Sequence, residues 1–286
     1  MTVIRTLAFG DAHPGRWGVA WIPAGEAAAG IALAAGQDAS VVSATVAADA
    51  GERQWRVQAP GADLLVSPLP EVVPISSPEA SAEGLDQLCR VSGRLDVSGS
   101  SGEIECLGWR TVRTLALEDD RIGSFRQVWA WFDGDEGLSL LATRPRKSRG
   151  QDSDQIAASL VEPDGAGAIF DPRLSTTYRD DGRPTRAGIE LWVGPKDRSS
   201  DGTDQAESGS ASSPTGGPEQ HPGEVADPHY SGQEHGGHQY PRRLAGEARG
   251  GYVDWAVGDF ELHAAPFGWH SRGREGAGVY LLGLRR

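Results

Sequence analysis

Lysine is nearly missing from this chain: Lys147 and Lys196 are the only two in 286 residues, and the formal net charge is −13. Gripping a phosphate backbone takes clustered Lys and Arg, so nucleic acid is not an expected partner. No apolar run approaches the roughly 18 residues that a membrane-spanning helix needs, so no transmembrane segment is expected. The opening Met1-Thr2-Val3-Ile4-Arg5-Thr6-Leu7 has no charged start followed by a long apolar stretch. It does not read as a secretory leader, and the cytoplasm is the expected location. There are two cysteines, Cys89 and Cys106. They read as buried reduced thiols, with one disulfide between them as the alternative. Gly-x-Ser-x-Gly, a Walker loop, Cys-x-x-Cys and a dinucleotide fingerprint before a helix are all absent, so several large enzyme classes lack their signatures.

Glycine and proline are abundant, at 39 and 18 residues, while hydrophobic residues make up 38%. That balance favours many short strands over long helices. Candidate strands in the first hundred residues are Trp17–Ile22, Gly30–Ala35, Val41–Ala48, Gln54–Gln58, Leu64–Pro68 and Leu88–Val97. Turn chemistry separates them, as at Asp49-Ala50-Gly51 and Pro60-Gly61. A helix over Ala27–Ala35 is the one rival local reading. Strands every 8–12 residues or so are the mark of a sandwich or barrel. Later candidates are Ile156–Val161, Ala166–Phe170, Ser175–Tyr178, Arg186–Val193, Tyr252–Val257, Asp259–Ala265 and Val279–Leu284, with Pro266–Gly278 read as a loop.

The charge is uneven, since residues 199–240 alone carry −7 of the total −13. From 199 to 239 the chain is mostly Gly, Ser, Pro, Asp, Glu, Gln and His, with Val225 its only branched aliphatic, too poor in apolar surface to offset its ordering entropy, and a disordered insert is expected. His221, His229, His235 and His238 fall inside it without a cysteine. No metal site and no cofactor are therefore expected. The simplest partition is an N-terminal β domain over 1–98 and a C-terminal β domain over 99–286 carrying the insert. Arg-over-Lys usage with abundant Ala and Gly fits a GC-rich bacterial source.

Aromatic and cationic side chains come closest together in Gly102–Phe132 and its partner strand Leu138–Arg146, joined by the turn Asp133-Gly134-Asp135-Glu136-Gly137. Period two places Phe125, Gln127, Trp129 and Trp131 on one strand face and Arg126, Val128, Ala130 and Phe132 on the other. Two indoles on one face make a wall for an apolar ligand, or else pack the core or the seam between halves. Asp119, Asp120, Arg121 and Arg126, with Arg110 and Arg113 before them, concentrate charge beside that wall. Pointing inward they are functional candidates, and pointing outward they are solvated edge charges. In the final third, Trp269 and His270 stand side by side, and His270 or His263 has the chemistry of a general base.

The run Val91-Ser92-Gly93-Arg94-Leu95-Asp96-Val97 leads to Gly108-Trp109-Arg110. After it come Asp120-Arg121-Ile122-Gly123-Ser124-Phe125-Arg126 with Trp129-Ala130-Trp131, and a closing Gly276-Ala277-Gly278-Val279-Tyr280. Through these stretches the chain resembles the carotenoid 1,2-hydratase (hydroxyneurosporene synthase) family of double lipocalin-like proteins. Ile122-Gly123-Ser124 stands where that family tends to have Ser-Trp-Gly, and Tyr280 where it has an acidic residue. The resemblance implies an all-β fold of two tandem antiparallel lipocalin-like barrels or half-barrels, with a ligand cavity near their junction. It implies an apolar, isoprenoid- or lipid-like small molecule as partner.

The leading expectation is a binder built around Phe125, Arg126, Trp129, Trp131, Arg110, Arg121, Trp269 and His270. The rival is a hydratase, cyclase or isomerase in which Asp119 or Asp120 protonates an alkene, an acid that must be desolvated to stay protonated near neutral pH. A third reading is a structural or partner-binding β protein without a cavity.

Overall fold

The computed structural model describes residues 2–11, 15–23, 29–35, 38–48, 53–77, 82–97, 99–115, 122–147, 154–194 and 240–286. Among them every regular element is a β-strand. The insert at 199–239, and Asp119, Asp120 and Arg121, lie outside the described residues.

The first eight strands are β1 (Thr2–Gly10), β2 (Arg16–Pro23), β3 (Ala29–Ala35), β4 (Asp38–Ala48), β5 (Trp55–Ala59), β6 (Ala62–Ser77), β7 (Ala82–Val97) and β8 (Ser100–Leu115). They pair in sequential order and close into a barrel, β8 returning to β1 from Thr2↔Leu115 to Phe9↔Gly108. Short hairpins explain the order, since each strand finds its neighbour at the lowest loop-closure cost. Alternation sets the register: in β5, Trp55 and Val57 are buried while Arg56 and Gln58 face water. Ala29–Ala35 is a strand, so the helical reading of that run is not realised. Its pairing on both sides, with β2 and β4, overrides the helical propensity of alanine.

The second group comprises β9 (Ile122–Phe132), β10 (Glu136–Pro145), β11 (Gln155–Glu162), β12 (Gly165–Gly167), β13 (Ile169–Tyr178), β14 (Pro184–Val193), β15 (Tyr240–Ala248), β16 (Val253–Val257), β17 (Phe260–Ser271) and β18 (Arg274–Arg285). Its strand order is β12-β11-β10-β9-β18-β17-β15-β14-β13, with β16 added to β17. The sheet curls into a barrel that is nearly closed, its two ends being β12–β11 and β13. Two sequence expectations are corrected by this arrangement. The division expected near residue 98 falls inside the β7–β8 hairpin, and the sheets change over between Leu115 and Ile122, because β8 is the stave that closes the first barrel. Pro266–Gly278, read as a loop, is the paired arms of β17 and β18 around a two-residue turn at Arg272-Gly273.

Apolar side chains form three layers. Leu7, Phe9, Ile31, Trp55, Val57 and Leu64 fill the first barrel. Val128, Ala130, Leu140, Leu191, Phe267, Trp269 and Tyr280 fill the second. Between them lies a shared layer drawn from both sheets: Ile4, Ala8, Trp17, Trp21, Leu88 and Trp109 meet Phe125, Trp129, Trp131, Leu141, Phe260 and Leu281. Strand β9 is therefore covered on both faces, which is why its burial is nearly continuous rather than alternating. The two faces expected from period two are the two that occur.

Candidate functional site

The seam is closed over most of its area. Trp21 stacks on Phe125 at 5.2 Å between ring centroids, and Phe125 meets Phe260 edge-on at 5.3 Å. The Trp109 indole N–H donates to the Ala130 carbonyl at 2.9 Å, and Trp131 Nε1 donates to the Gly10 carbonyl at 3.2 Å, both across the seam. At its centre Arg113, 1% exposed, pairs with Asp86, fully buried. Arg113 Nε donates to Asp86 Oδ1 at 2.8 Å, Arg113 Nη2 reaches Ser139 Oγ at 3.1 Å, and Ser159 Oγ donates to Asp86 Oδ2 at 3.0 Å. The carboxylate belongs to β7, the guanidinium to β8, and the two hydroxyls to β10 and β11, so one polar cluster ties both sheets together.

At one end the sheets diverge and leave a cleft of about 920 Å³. The first sheet contributes Gly10 and Asp11 from the end of β1, Arg90 from β7 and Glu105-Cys106-Leu107 from β8. The second contributes Trp131 and Phe132, the Asp133-Gly134-Asp135 turn, Arg249, and Glu275-Gly276-Ala277. Trp131, Phe132, Leu107 and Ala277 make the apolar part of the wall. Arg90 Nη2 bonds Asp135 Oδ1 at 2.7 Å and bridges the cleft from one sheet to the other. Asp135 takes a left-handed conformation with φ of 59° beside Gly134 at 83°, and this tight turn carries its carboxylate to the arginine. Arg249 lies 3.5 Å from Glu275, and His270 Nδ1 lies 3.2 Å from the same carboxylate. Five carboxylates and two guanidiniums line the cleft, which is acidic. The Cys106 thiol also lines it, and burial pushes its pKa up to about 12, so it stays protonated and is a poor nucleophile. Neither Cys106 nor Cys89 is in a disulfide.

A recess of about 70 Å³ adjoins the cleft, sharing Asp11, Trp131 and Arg249 with it and bounded also by Trp17 and Phe267. Its walls are glycine for a steric reason. A Cβ at Gly276 would come within 2.6 Å of the Phe132 ring; one at Gly278 would collide with the Trp129 carbonyl and approach Trp269 Nε1 to 2.6 Å.

Two further ionic clusters sit inside the second barrel. Near one end Arg126, 4% exposed at its side chain, pairs with Asp154 at 2.6 Å, and Arg144 Nε holds the same carboxylate at 2.7 Å. Burial raises the Asp154 pKa, but hydrogen bonds and charge from Arg144 and Arg126 outweigh it and hold the group below the ordinary value of 3.8. The Tyr280 hydroxyl bonds Thr176 Oγ1 at 2.8 Å nearby, and burial drives its pKa well up. Near the other end Glu136 is paired directly by Arg242 and Arg274, while Tyr240 Oη donates to Glu162 at 2.5 Å. Burial, with Arg272 and Arg274 close by, lowers the Arg242 pKa to about 10.

The residues expected from sequence are thus dispersed. Trp131 lines the cleft. Phe125 and Trp129 share its strand face but lie in the closed seam, both fully buried. Arg126 is on the opposite face of β9. Arg110 lies in the first barrel, its Nε donating to Gln87 Oε1 at 2.9 Å and its guanidinium 5.2 Å over Trp55. Trp269 stacks on Phe267 at 5.6 Å inside the second barrel, whereas His270, the next residue along β17, points outward. The cleft residues Asp11, Arg90, Glu105, Asp133, Arg249 and Glu275 were not expected from sequence. Arg90 and Glu105 are ordinary mid-strand charges and the others ordinary strand-end or turn charges until the two sheets are brought together, so no local pattern marks them.

No family model and no curated protein matches the chain. Among solved structures, a candidate AttH from Nitrosomonas europaea superposes with a TM-score of 0.57 at 10% identity, covering 100% of this chain and 94% of that one. CghA superposes with a TM-score of 0.58 at 10% identity over 99% and 88% of the two chains; its structure with Sch210972 gives 0.55 at 11% identity over the same shares. The likeness is one of fold: two tandem antiparallel lipocalin-like barrels, the architecture expected from the sequence resemblance.

Proposed function

We propose that the protein binds a small molecule in the cleft between its two barrels. One observation carries this reading: about 920 Å³ of space, open at the junction and walled by Trp131, Phe132 and Leu107, is of the size that small-molecule sites have. A neighbour of the same fold, CghA, has been solved with Sch210972, which supports the reading by analogy of fold alone. Charged residues are too numerous in this cleft for a wholly apolar guest, because burying them without partners costs several kcal/mol each. The occupant is amphipathic, its flat or apolar part against Trp131 and its polar part toward the mouth. The isoprenoid- or lipid-like ligand implied by the family resemblance fits only with such a polar end.

A catalytic version needs a desolvated carboxylic acid. The well-buried carboxylates described, Asp86, Asp154, Glu136 and Glu162, each lie beside arginine. At Asp154 the two arginines hold the pKa below its ordinary value, the opposite of what a proton donor to an alkene requires. Asp119 and Asp120, the acids expected from sequence, lie outside the described residues.

The test is mass spectrometry of organic extracts from protein purified out of its own host, comparing wild type, Trp131→Ala and Trp192→Ala. Trp192 is 37% exposed on the outside of β14 and serves as the control. Recovery of one small molecule from wild type and Trp192→Ala is expected, with a loss of at least about tenfold in Trp131→Ala, the scale of removing a buried aromatic anchor. Equal recovery from all three proteins, or an empty wild type, would contradict the proposal.

A further inference from the structure

The free strand edges of this molecule differ in how they are guarded. An edge presents unpaired backbone N–H and C=O groups, and native proteins blunt it with proline, lysine, a bulge or a covering element. The free edge of β13 carries Pro172, Asp171 in a left-handed conformation with φ of 45°, and two shifts of register against β14. The half of β6 beyond its pairing with β5 carries Pro68, Pro70 and Pro74, with a shift between Pro68 and Val72. β4 has none of these devices. It pairs with β3 from Asp38 to Ala44 but with β5 only from Thr45 to Ala48, because β5 ends at Ala59 and the chain turns back at Pro60-Gly61. Among the described residues, the run Asp38–Ala44 therefore has no strand on its second side. Ala39, Val41 and Ser43 are exposed, Val41 at 39%, while Val42 and Ala44 pack into the first barrel. β16 lies on the face of this hairpin, with Trp255 over Gly30, and forms no ladder with β4.

We infer that β4 pairs with β4 of a second copy of this chain, in an antiparallel ladder around a two-fold axis at Val41. The run Ala39-Ser40-Val41-Val42-Ser43-Ala44 is uncharged and centred on two β-branched residues, which suits a sheet. A two-fold axis perpendicular to the sheet sets one residue opposite its own copy and keeps the outward faces of both strands on one side. With Val41 on the axis, Val41 meets the partner's Val41 and Ala39 meets the partner's Ser43 on that outward face. On the other face Ser40 meets the partner's Val42. Asp38, the only charged residue of β4, falls opposite the partner's Ala44, about 20 Å along the ladder from the second Asp38. No like charges are opposed within the ladder. Pairing uses up the unguarded edge of each chain, so the assembly closes at two copies. One strand pair is a small contact, below the roughly 1,200 Å² of a stable interface, so the association is weak and concentration-dependent. β4 contributes no residue to the junction cleft, and the inference stands apart from the ligand reading.

The test is sedimentation velocity of the full-length protein from about 1 to about 200 μM, a range suited to weak interfaces. The wild type is expected to pass from monomer to dimer within it. Val41→Lys and Val41→Glu each set like charges face to face on the axis, and each alone is expected to weaken self-association about tenfold. An equimolar mixture of these two variants sets opposite charges there and is expected to dimerise again, less so at high salt. Their urea unfolding midpoints are expected to match the wild type, since the position is exposed. A gain-of-association variant makes the register testable without any loss: Ala39→Glu with Ser43→Lys places opposite charges across the ladder twice and is expected to tighten the dimer. A wild type that stays monomeric at the highest concentration overturns the inference. So does a dimer indifferent to Val41→Lys, a mixture no better than its components, or a double variant that does not tighten.

Discussion

At the scale of single residues, the two central tryptophans show what a sequence pattern can and cannot convey. Period two correctly puts Trp129 and Trp131 on one face of β9, yet one is sealed between sheets and the other lines a cleft. Nothing local distinguishes them, because the difference is where the opposite barrel stops. The same holds for Arg113, one of several charges beside that aromatic wall, and Asp86, unremarkable in sequence, which pair in the buried polar cluster of the seam. Removing one member of a fully buried pair leaves an uncompensated charge, and Asp86→Ala is expected to destabilise the protein by about 3–5 kcal/mol. Replacing both, as Asp86→Leu with Arg113→Met, is expected to restore most of that loss, since apolar side chains of similar volume avoid the desolvation cost. Urea unfolding of the three proteins measures it; a single variant as stable as wild type would show that the pair does not hold the seam.

At the scale of elements, nearly every strand was legible, and the failures have physical causes. β1, which has no turn signal ahead of it, and β15, which follows the polar insert, are not among the expected strands. β6 and β7 run longer than their apolar cores, because polar residues such as Glu83 and Asp86 continue the ladder through backbone hydrogen bonds that composition does not reveal. Gly268, Gly276 and Gly278 made β17 and β18 look like a loop. Gly276 and Gly278 are glycine because backbone and rings crowd them, the Trp131 carbonyl and Phe132 against Gly276 and the Trp129 carbonyl and Trp269 against Gly278.

One element-level contact has a measurable pH signature. Asp154 anchors the start of β11 to Arg126 on β9 and Arg144 on β10. Its pKa is raised by burial and lowered more strongly by the two arginines, ending below the ordinary 3.8. The stabilisation it provides is therefore fully present above pH 3.8 and is lost as pH falls through the lowered folded-state value. Asp154→Asn is expected to be less stable than wild type at neutral pH and to lose less stability between neutral pH and about pH 3. Unfolding free energies at the two pH values decide it, and an unchanged acid-induced loss would show that the carboxylate does not carry this dependence.

At the scale of the whole molecule, composition and strand spacing conveyed an all-β chain, and the family resemblance conveyed two tandem barrels. What neither conveyed was how the barrels meet. The seam is a packed layer built from both sheets, and a wide cleft opens at its end, assembled chiefly from β1, β7, β8, β9 and β18. A site made of five strands from two sheets has no contiguous motif, which is why the expected residues scattered over a seam, two barrel interiors and an outer face. The central claim is that the ligand occupies this junction and neither barrel interior.

Nuclear magnetic resonance of protein labelled at its nine tryptophans tests that claim most directly, because the indoles report from every region: Trp131 and Trp17 at the cleft, Trp55 in the first barrel, Trp269 in the second. On titration with the molecule recovered from the purified protein, the indole N–H signals of Trp131 and Trp17 are expected to shift while those of Trp55 and Trp269 stay in place. Movement of Trp55 or Trp269 with Trp131 and Trp17 unchanged would put the ligand inside a barrel and contradict the junction site.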